Sequence, residues 1–428
     1  MYEKRGFGMY KISSLSNGIR VVSEYTDYVR SVALGVWVGT GSSMENVKNN
    51  GVSHYIEHML FKGTKTRTAK EIAEFSDRTG SQLNALTAKK YTGYYAKTLT
   101  ENLDGAIEIL SDMLTNSVFD PECMETERRV IAEEINMSED APEDFVHDCL
   151  SKLMWRGEPL GFPIAGTLET LAGIDRTAIL DYFGRRYCGE NIVISVVGNF
   201  DEDRLHELLE KKFGVFERGS TADGVPGHIE LQRGVSVTEK DIEQCHICLG
   251  LEGFTRHDTR RHALSVLNAV FGGSMSSRLF QSVREERGLA YSVYSYLNTY
   301  KNNGSEVIYA GVSPENTLPA LEVISREIKR LKKEGLSADE IETAKAQLKA
   351  SVVMSAESTS SRMGGYGRSV LLSGRVTDIE ESISDIEAVD ENAIAEAISC
   401  VFDINRLNIA AIGRIDGGED RIKSAIDF

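Results

Sequence analysis

Two histidines stand four residues apart in the run His54-Tyr-Ile-Glu-His58. On a helix that spacing stacks both imidazoles on one face, one turn apart. Two neutral imidazoles so placed can grip a single zinc ion, at ~2.0–2.1 Å from each ring nitrogen. Glu57 follows His54 by three residues and adjoins His58. It can therefore stand beside the metal as a general base without binding it. The order H-x-x-E-H is the inverse of the commoner H-E-x-x-H zinc motif. A catalytic zinc that keeps one position open needs three protein ligands, so a third must come from elsewhere.

The best source is a second helix, opened by the N-cap Asp120 with Pro121 at its first position. Within it Glu127, Val130, Ile131 and Glu134 follow the i, i+3, i+4, i+7 pattern of one face. Two carboxylates on a partly apolar stripe that should turn inward make Glu134 the candidate third ligand. Glu127 is then the nearby carboxylate that orients or tunes the site. Glu133 points about 100° away by helical geometry, and remains the simplest substitute if Glu134 fails. A solvated acidic helix fits the same spacing.

These residues need a scaffold. Gly51 before the histidine helix and Gly63 after it suit its two ends. Residues 9–41 read as strands, with Ser16-Asn17-Gly18 as a turn. Thr68-Ala-Lys-Glu71 is a capping box for the next helix, and Gly80 ends that helix. Ser81–Thr87 and Tyr91–Lys97, joined by a short connection, predict a β-hairpin. An amphipathic helix follows over 101–116, and residues 191–198 are a buried strand. After the Gly-, Ser- and Thr-rich stretch Gly214–Gly227 the pattern restarts. Gly39 corresponds to Gly253, Glu101-Asn102 to Glu315-Asn316, and Val197-Gly198 to Ile412-Gly413, which is followed by Arg-Ile-Asp416. The near-constant offset predicts an α+β fold made of two tandem homologous domains, each a mainly antiparallel sheet packed with helices. Expected boundaries are 1–214 for the catalytic copy, 215–234 for a linker and 235–428 for the second copy. In that second copy Leu264, Leu267 and Asn268 fall opposite His54, Glu57 and His58, and Ser351 opposite Glu134. One half carries chemistry; the other keeps only the shape.

Composition narrows the partners. The 428 residues carry a net charge of −17, from 65 acidic and 48 basic side chains. Such a surface disfavours nucleic acid and attracts basic peptides. No apolar run is long enough for a membrane span, so no membrane partner is expected. The opening MYEKRGFGMYKISS has no continuous apolar segment of the secretory kind. Of the six cysteines only Cys245 and Cys248 are close, on a segment that reads as a strand. They are expected to be structural, and a reducing cytoplasm suits them.

The second half also holds the run Phe271-Gly-Gly-Ser-Met-Ser-Ser-Arg278 through Arg284 to Tyr291. Its glycines lack the G-x-x-x-x-G-K-[ST] pattern of a phosphate cradle, which disfavours a nucleotide-binding module on Gly272-Gly273. Arg284 and Tyr291 could present a cation and a phenol to a developing oxyanion.

Together, the run His54 to Thr64, Glu127, Glu134, Asn84-Ala-Leu-Thr87 and the run Phe271 to Tyr291 resemble the pitrilysin family of inverted-motif zinc peptidases. The branch is that of mitochondrial processing peptidase and its bacterial relatives, and the resemblance spans nearly the whole chain. It implies one Zn2+ per chain on His54, His58 and Glu134. It implies Glu57 as general base toward zinc-activated water, and Asn84 and Ala85 holding the substrate backbone as an added strand. It further implies that Arg284 and Tyr291 help bind substrate and the tetrahedral intermediate. Leu86 departs from the aromatic residue that relatives often carry, which touches a substrate pocket rather than the chemistry. The activity implied is that of a zinc metalloendopeptidase acting on short unfolded peptides inside a closed chamber. A chain of this length makes half a chamber, so a homodimer is expected, or a heterodimer with a related subunit. In that assembly Arg284 and Tyr291 would approach the other subunit's zinc. The alternative is a non-catalytic scaffold or binding subunit; relatives of that kind typically lose zinc ligands, and this chain keeps them.

Overall fold

β-Branched and apolar residues recur in short runs between turn signals, and these runs become the strands. The computed structural model describes residues 9–219, 227–415 and 417–426. Residues 220–226 of the expected linker, and Asp416 of the repeat, lie outside the described residues.

In the first half the strands are β1 (Tyr10–Ser14), β2 (Arg20–Tyr25), β3 (Ser31–Val38), β4 (Gln82–Thr87), β5 (Thr92–Leu99) and β6 (Ile192–Gly198). They form one sheet in the order β1-β2-β6-β3-β5-β4. β6 is buried along its whole length, as its uninterrupted apolar run predicts. The expected hairpin is β4–β5, antiparallel, with Asn84 opposite Tyr95 and Ala85 opposite Tyr94. β4 is the outermost strand on that side.

The second half supplies β7 (Gly234–Glu239), β8 (Cys245–Glu252), β9 (Ala290–Thr299), β10 (Gly304–Val312) and β11 (Asn408–Gly413). Their order, β7-β11-β8-β10-β9, repeats β2-β6-β3-β5-β4 strand for strand. In each sheet one pair is parallel, β2 with β6 and β7 with β11, and the remaining neighbours run antiparallel. The repeat seen in the residues is thus a repeat of topology. Cys245 and Cys248 both lie buried on β8. Three apart on a strand, they point to opposite faces, so they do not converge on one ion.

The helices of the first half include α1 (Val52–Leu60), α2 (Ala69–Thr79), α3 (Leu103–Asn116), α4 (Pro121–Asp140) and α5 (Pro142–Trp155). The chain divides into two compact units that do not follow the order of the sequence. One comprises Met1–Ile135, Pro163–Val225 and Val352–Ser382; the other comprises Asn136–Phe162, Pro226–Ser351 and Ile383–Phe428. Each sequence half therefore contributes one helix to the unit built mainly from the other half. In the first unit the helix Thr359–Ser373 packs Met363, Tyr366 and Val370 on Val22, Ala33, Trp37 and Val193 of the sheet. Gly367 permits that approach, since a Cβ there would sit 2.1 Å from Trp37 Nε1. A buried ion pair between Arg362 and Glu24 fixes the same helix. In the second unit α5 packs Val146, Leu150 and Met154 against Cys248, Val307 and Ile412.

The opposite face of the first sheet holds the main core of its unit, with Val52, Tyr55, Ile56, Met59 and Leu60 of α1 among its members. α4 corrects one expectation. Met124, Glu127, Ile131 and Ile135 are its buried residues, whereas Val130 is exposed. Val130 lies about 100° from Ile131 around the axis, which takes it off the stripe that Ile131 and Ile135 define.

The second unit buries a carboxylate of its own. Glu306 on β10 is fully buried beside Ser295, and the Asn268 amide reaches its Oε1 at 3.0 Å when turned to donate. Burial drives its carboxyl well above the usual carboxylate range, against a smaller opposing effect of the Ser295 hydrogen bond. A raised folded value means the fold prefers the protonated acid. Stability is therefore greatest below the unfolded-state pKa and falls as pH rises toward the folded value. Glu306→Gln is expected to stabilise the protein at pH 8 by about 1–3 kcal/mol. The gain should vanish near pH 4, where the wild-type acid is protonated in both states. Calorimetric unfolding at the two pH values checks this; equal transition temperatures at pH 8 would show that Glu306 carries its burial without cost.

Candidate metal centre

α1 begins under tight local control. Its N-cap Gly51 has φ +96°, and a Cβ there would meet the Ala165 carbonyl oxygen at 2.5 Å. The carboxylate of buried Glu45 accepts the free backbone N–H groups of the first turn, from Gly51 at 2.7 Å and Ser53 at 2.8 Å. It also accepts from the Asn50 amide at 2.9 Å. An anion at this end satisfies orphan donors and suits the helix dipole. Glu45 thereby anchors the helix that carries the histidines. Sequence reasoning missed it, although an acidic residue just ahead of a glycine-led helix is the signal that could have found it.

With the apolar side of α1 in the core, His54, Glu57 and His58 are left partly exposed on the other side. The two imidazole centroids lie 4.6 Å apart. α4 is held to α1 by the Tyr55 hydroxyl, which donates to the Met124 carbonyl. Its buried Met124, Ile131 and Ile135 then set the height and rotation of its two carboxylates.

Glu134 Oε2 stands 3.7 Å from His54 Nε2 and 3.4 Å from His58 Nε2. One donor atom from each of the three side chains falls within 4.8 Å of the others. Ligands at the usual zinc distances in a tetrahedral site are separated by about 3.3–3.4 Å, so the donor set fits such an ion. Burial, and next the neighbouring His58, lower His54 to about 4. It is therefore a neutral base at neutral pH, the form that binds a metal. Glu133 lies outside this convergence.

The two histidines are oriented differently. His58 Nδ1 faces Glu127 Oε2 at 3.2 Å, a carboxylate–imidazole contact of the kind that would leave Nε2 as the nitrogen offered to a metal. Glu127 is only 4% exposed, and its other oxygen meets Lys62 Nζ at 2.8 Å. Lys62 was not anticipated, although its spacing of four from His58 is visible in the chain. His54 Nδ1 is buried with no hydrogen-bond partner among the described residues, so no carboxylate steers that ring from behind as Glu127 steers His58.

Glu57 lies beside the histidines and accepts a short hydrogen bond from the Thr87 hydroxyl. Burial raises its carboxyl above the ordinary range; Thr87 and His58 oppose that shift, while Glu134 adds to it. Thr87 ends β4, so the same strand that carries Asn84 and Ala85 reaches Glu57. On that outer strand Asn84 Oδ1 accepts the Ala85 N–H at 2.8 Å.

Arg284 and Tyr291 belong to the second unit. They meet each other, with the Arg284 guanidinium 5.3 Å from the Tyr291 ring centre and 4.7 Å from that of Phe280. Tyr291 is 77% exposed. In the same stretch Arg278 is committed to Glu340, at 2.7 and 2.8 Å. Gly272 serves close packing, since a Cβ there would lie 2.4 Å from Ser295 Oγ.

Comparison with known proteins agrees with this geometry. Residues 20–168 match the model of the insulinase family, peptidase family M16, and residues 173–348 match the peptidase M16 inactive domain. A Bacillus subtilis protein named as the uncharacterized zinc protease YmxG is 44% identical over 89% of this chain and 93% of its own. An uncharacterized zinc protease of Streptomyces coelicolor is 36% identical over 92% of this chain and 88% of its own. Among solved structures, a protease from Helicobacter pylori superposes with a TM-score of 0.88 at 20% identity, over 95% of this chain and all (100%) of that one. A peptidase M16 inactive domain from Pseudomonas fluorescens gives 0.88 at 18% identity, over 94% and 97%. These two share the fold; the more similar relatives carry the zinc protease name. The chain is a member of the insulinase family, peptidase family M16.

Proposed function

We propose that the protein is a zinc-dependent endopeptidase that hydrolyses short unfolded peptides. One observation supports the reading above others. Two imidazole nitrogens and a carboxylate oxygen converge at separations of 3.4 and 3.7 Å, with a further carboxylate, Glu57, beside them. When held by His54, His58 and Glu134, zinc would supply Lewis acidity toward water and the scissile carbonyl. Glu57 takes a proton from the attacking water and passes it to the departing amine as the C–N bond breaks. Thr87 keeps the Glu57 carboxylate aimed. Substrate lies along the outer edge of β4, where backbone groups of Asn84 and Ala85 pair with it and the Asn84 side chain gives up its hold on the Ala85 N–H. Arg284 and Tyr291, side by side, offer a cation and a phenol to the peptide. We further propose a homodimer, or a heterodimer with a related subunit, because a chain of this length makes half of an enclosing chamber, and a reducing cytoplasmic setting, which suits six unpaired cysteines. Among the described residues no helix is long and apolar enough to cross a membrane. A scaffold subunit would have no need of the complete ligand set with its base.

The test is metal analysis of the purified chain together with cleavage-site profiling on a peptide library. About one zinc per chain is expected, with cleavage abolished by a chelator and restored by added zinc. Cleavage that survives complete metal removal would refute the reading.

A further inference from the structure

Lys62 closes a chain of contacts that ends at the metal centre. Its Nζ lies 2.8 Å from Glu127 Oε1, Glu127 Oε2 lies 3.2 Å from His58 Nδ1, and His58 Nε2 faces Glu134 at 3.4 Å. Lys62 lies four residues after His58, just past the C-cap Phe61 of α1, so the segment that carries the ligand also carries the counter-charge. Glu127 is buried and shares little of its charge with solvent. Among its partners, the ammonium and the imidazole divide that charge between them.

We infer that Lys62 is a positioning residue that sets how tightly the centre holds zinc, acting through Glu127 on His58. The inference rests on the zinc reading of the site. With Lys62 present, part of the carboxylate density is drawn to Oε1. Without it, the carboxylate pulls harder on the His58 Nδ1 proton and the ring becomes a more electron-rich ligand. A richer ligand grips the metal more firmly and leaves it a weaker electrophile. Zinc affinity and turnover then move in opposite directions, whereas general loosening of the site lowers both.

The experiment uses the full chain stripped of metal, with zinc affinity read by competition against a chromogenic chelator. Turnover and KM are measured on a peptide cleaved by the wild type. For Lys62→Met, with Lys62→Gln as a second neutral variant, zinc binding about ten-fold tighter is expected, with a similar fall in kcat and little change in KM. Lys62→Arg keeps the charge and should stay within about three-fold of wild type in both. In a Glu127→Gln background the route is cut, so adding Lys62→Met should change affinity by less than about three-fold. Unchanged or weaker zinc binding in both neutral variants overturns the inference, as does an undiminished shift in the Glu127→Gln background. A wild type that binds zinc without cleaving any peptide sinks the peptidase reading alone, since the affinity comparison still stands. A wild type that binds no zinc overturns both.

Discussion

Glu57→Gln is expected to keep its zinc while losing peptide cleavage by ~10²–10⁴-fold, the contribution usual for a positioned general base. The substitution changes little besides basicity. Glutamine has the same shape, and its amide oxygen still accepts the Thr87 hydroxyl that glutamate accepts now. Burial already disfavours the charge at this position, so a neutral side chain adds no strain to the fold. None of the three converging donor atoms belongs to Glu57, which is why metal content should not follow activity. Single-turnover cleavage of a library-selected peptide, with zinc measured on the same sample, separates the two effects. Cleavage at the wild-type rate would assign the proton transfer to another group; loss of zinc along with activity would make Glu57 a ligand.

The second large effect is on the metal. Glu134→Ala leaves two imidazoles without their carboxylate, and zinc affinity should fall by more than the ~10–100-fold typical of residues that only support a ligand. Glu127→Gln belongs to that milder class, because Glu127 touches His58 through Nδ1 and not through the converging nitrogen. Glu133→Ala should leave affinity near the wild-type value, since its side chain stands outside the convergence. Equilibrium dialysis of the three variants ranks them. Full zinc occupancy in Glu134→Ala would move the third ligand, and a matching loss in Glu133→Ala would show where it went.

Much of the local structure could be read directly. The spacing of His54 and His58 required a helix, and Gly51 and Gly63 bounded it; α1 runs over Val52–Leu60. The capping box at Thr68 forms with both of its hydrogen bonds. Two strand-like runs joined by the short connection after Thr87 predict the hairpin, which is β4 and β5. The halves' matching landmarks became two sheets of the same topology. Each of these features depends on neighbours within a few residues or on a repeated pattern, and both leave marks in composition and period.

What failed to show was pairing at a distance. The anchor of α1 is Glu45, a charged residue in a loop that carries no period. Lys62 gains its role only because α4 delivers Glu127 to it, across many positions of chain. The expected stripe on α4 runs through Glu127, Val130, Ile131 and Glu134; the core keeps Glu127 and Ile131, adds Met124 and Ile135, and leaves Val130 and Glu134 exposed. A few tens of degrees of rotation separate those alternatives, and the packing of neighbours settles them. The exchange of α5 and the helix Thr359–Ser373 between the two units is likewise silent in local pattern, because an apolar helix face does not say which sheet it will cover.

The residue types and spacings alone determined an H-x-x-E-H run on one helix, an acidic helix some seventy positions later, and a duplicated α+β plan. Only the tertiary structure decided that three donor atoms meet at ligand separations, that Glu127 and Lys62 stand behind His58, and that β4 lies at the sheet edge with Thr87 against Glu57. Chemistry and periodicity are properties of neighbours along the chain. Convergence of side chains from separate elements is set by how buried faces fit together, and that fit exists only once the core has closed.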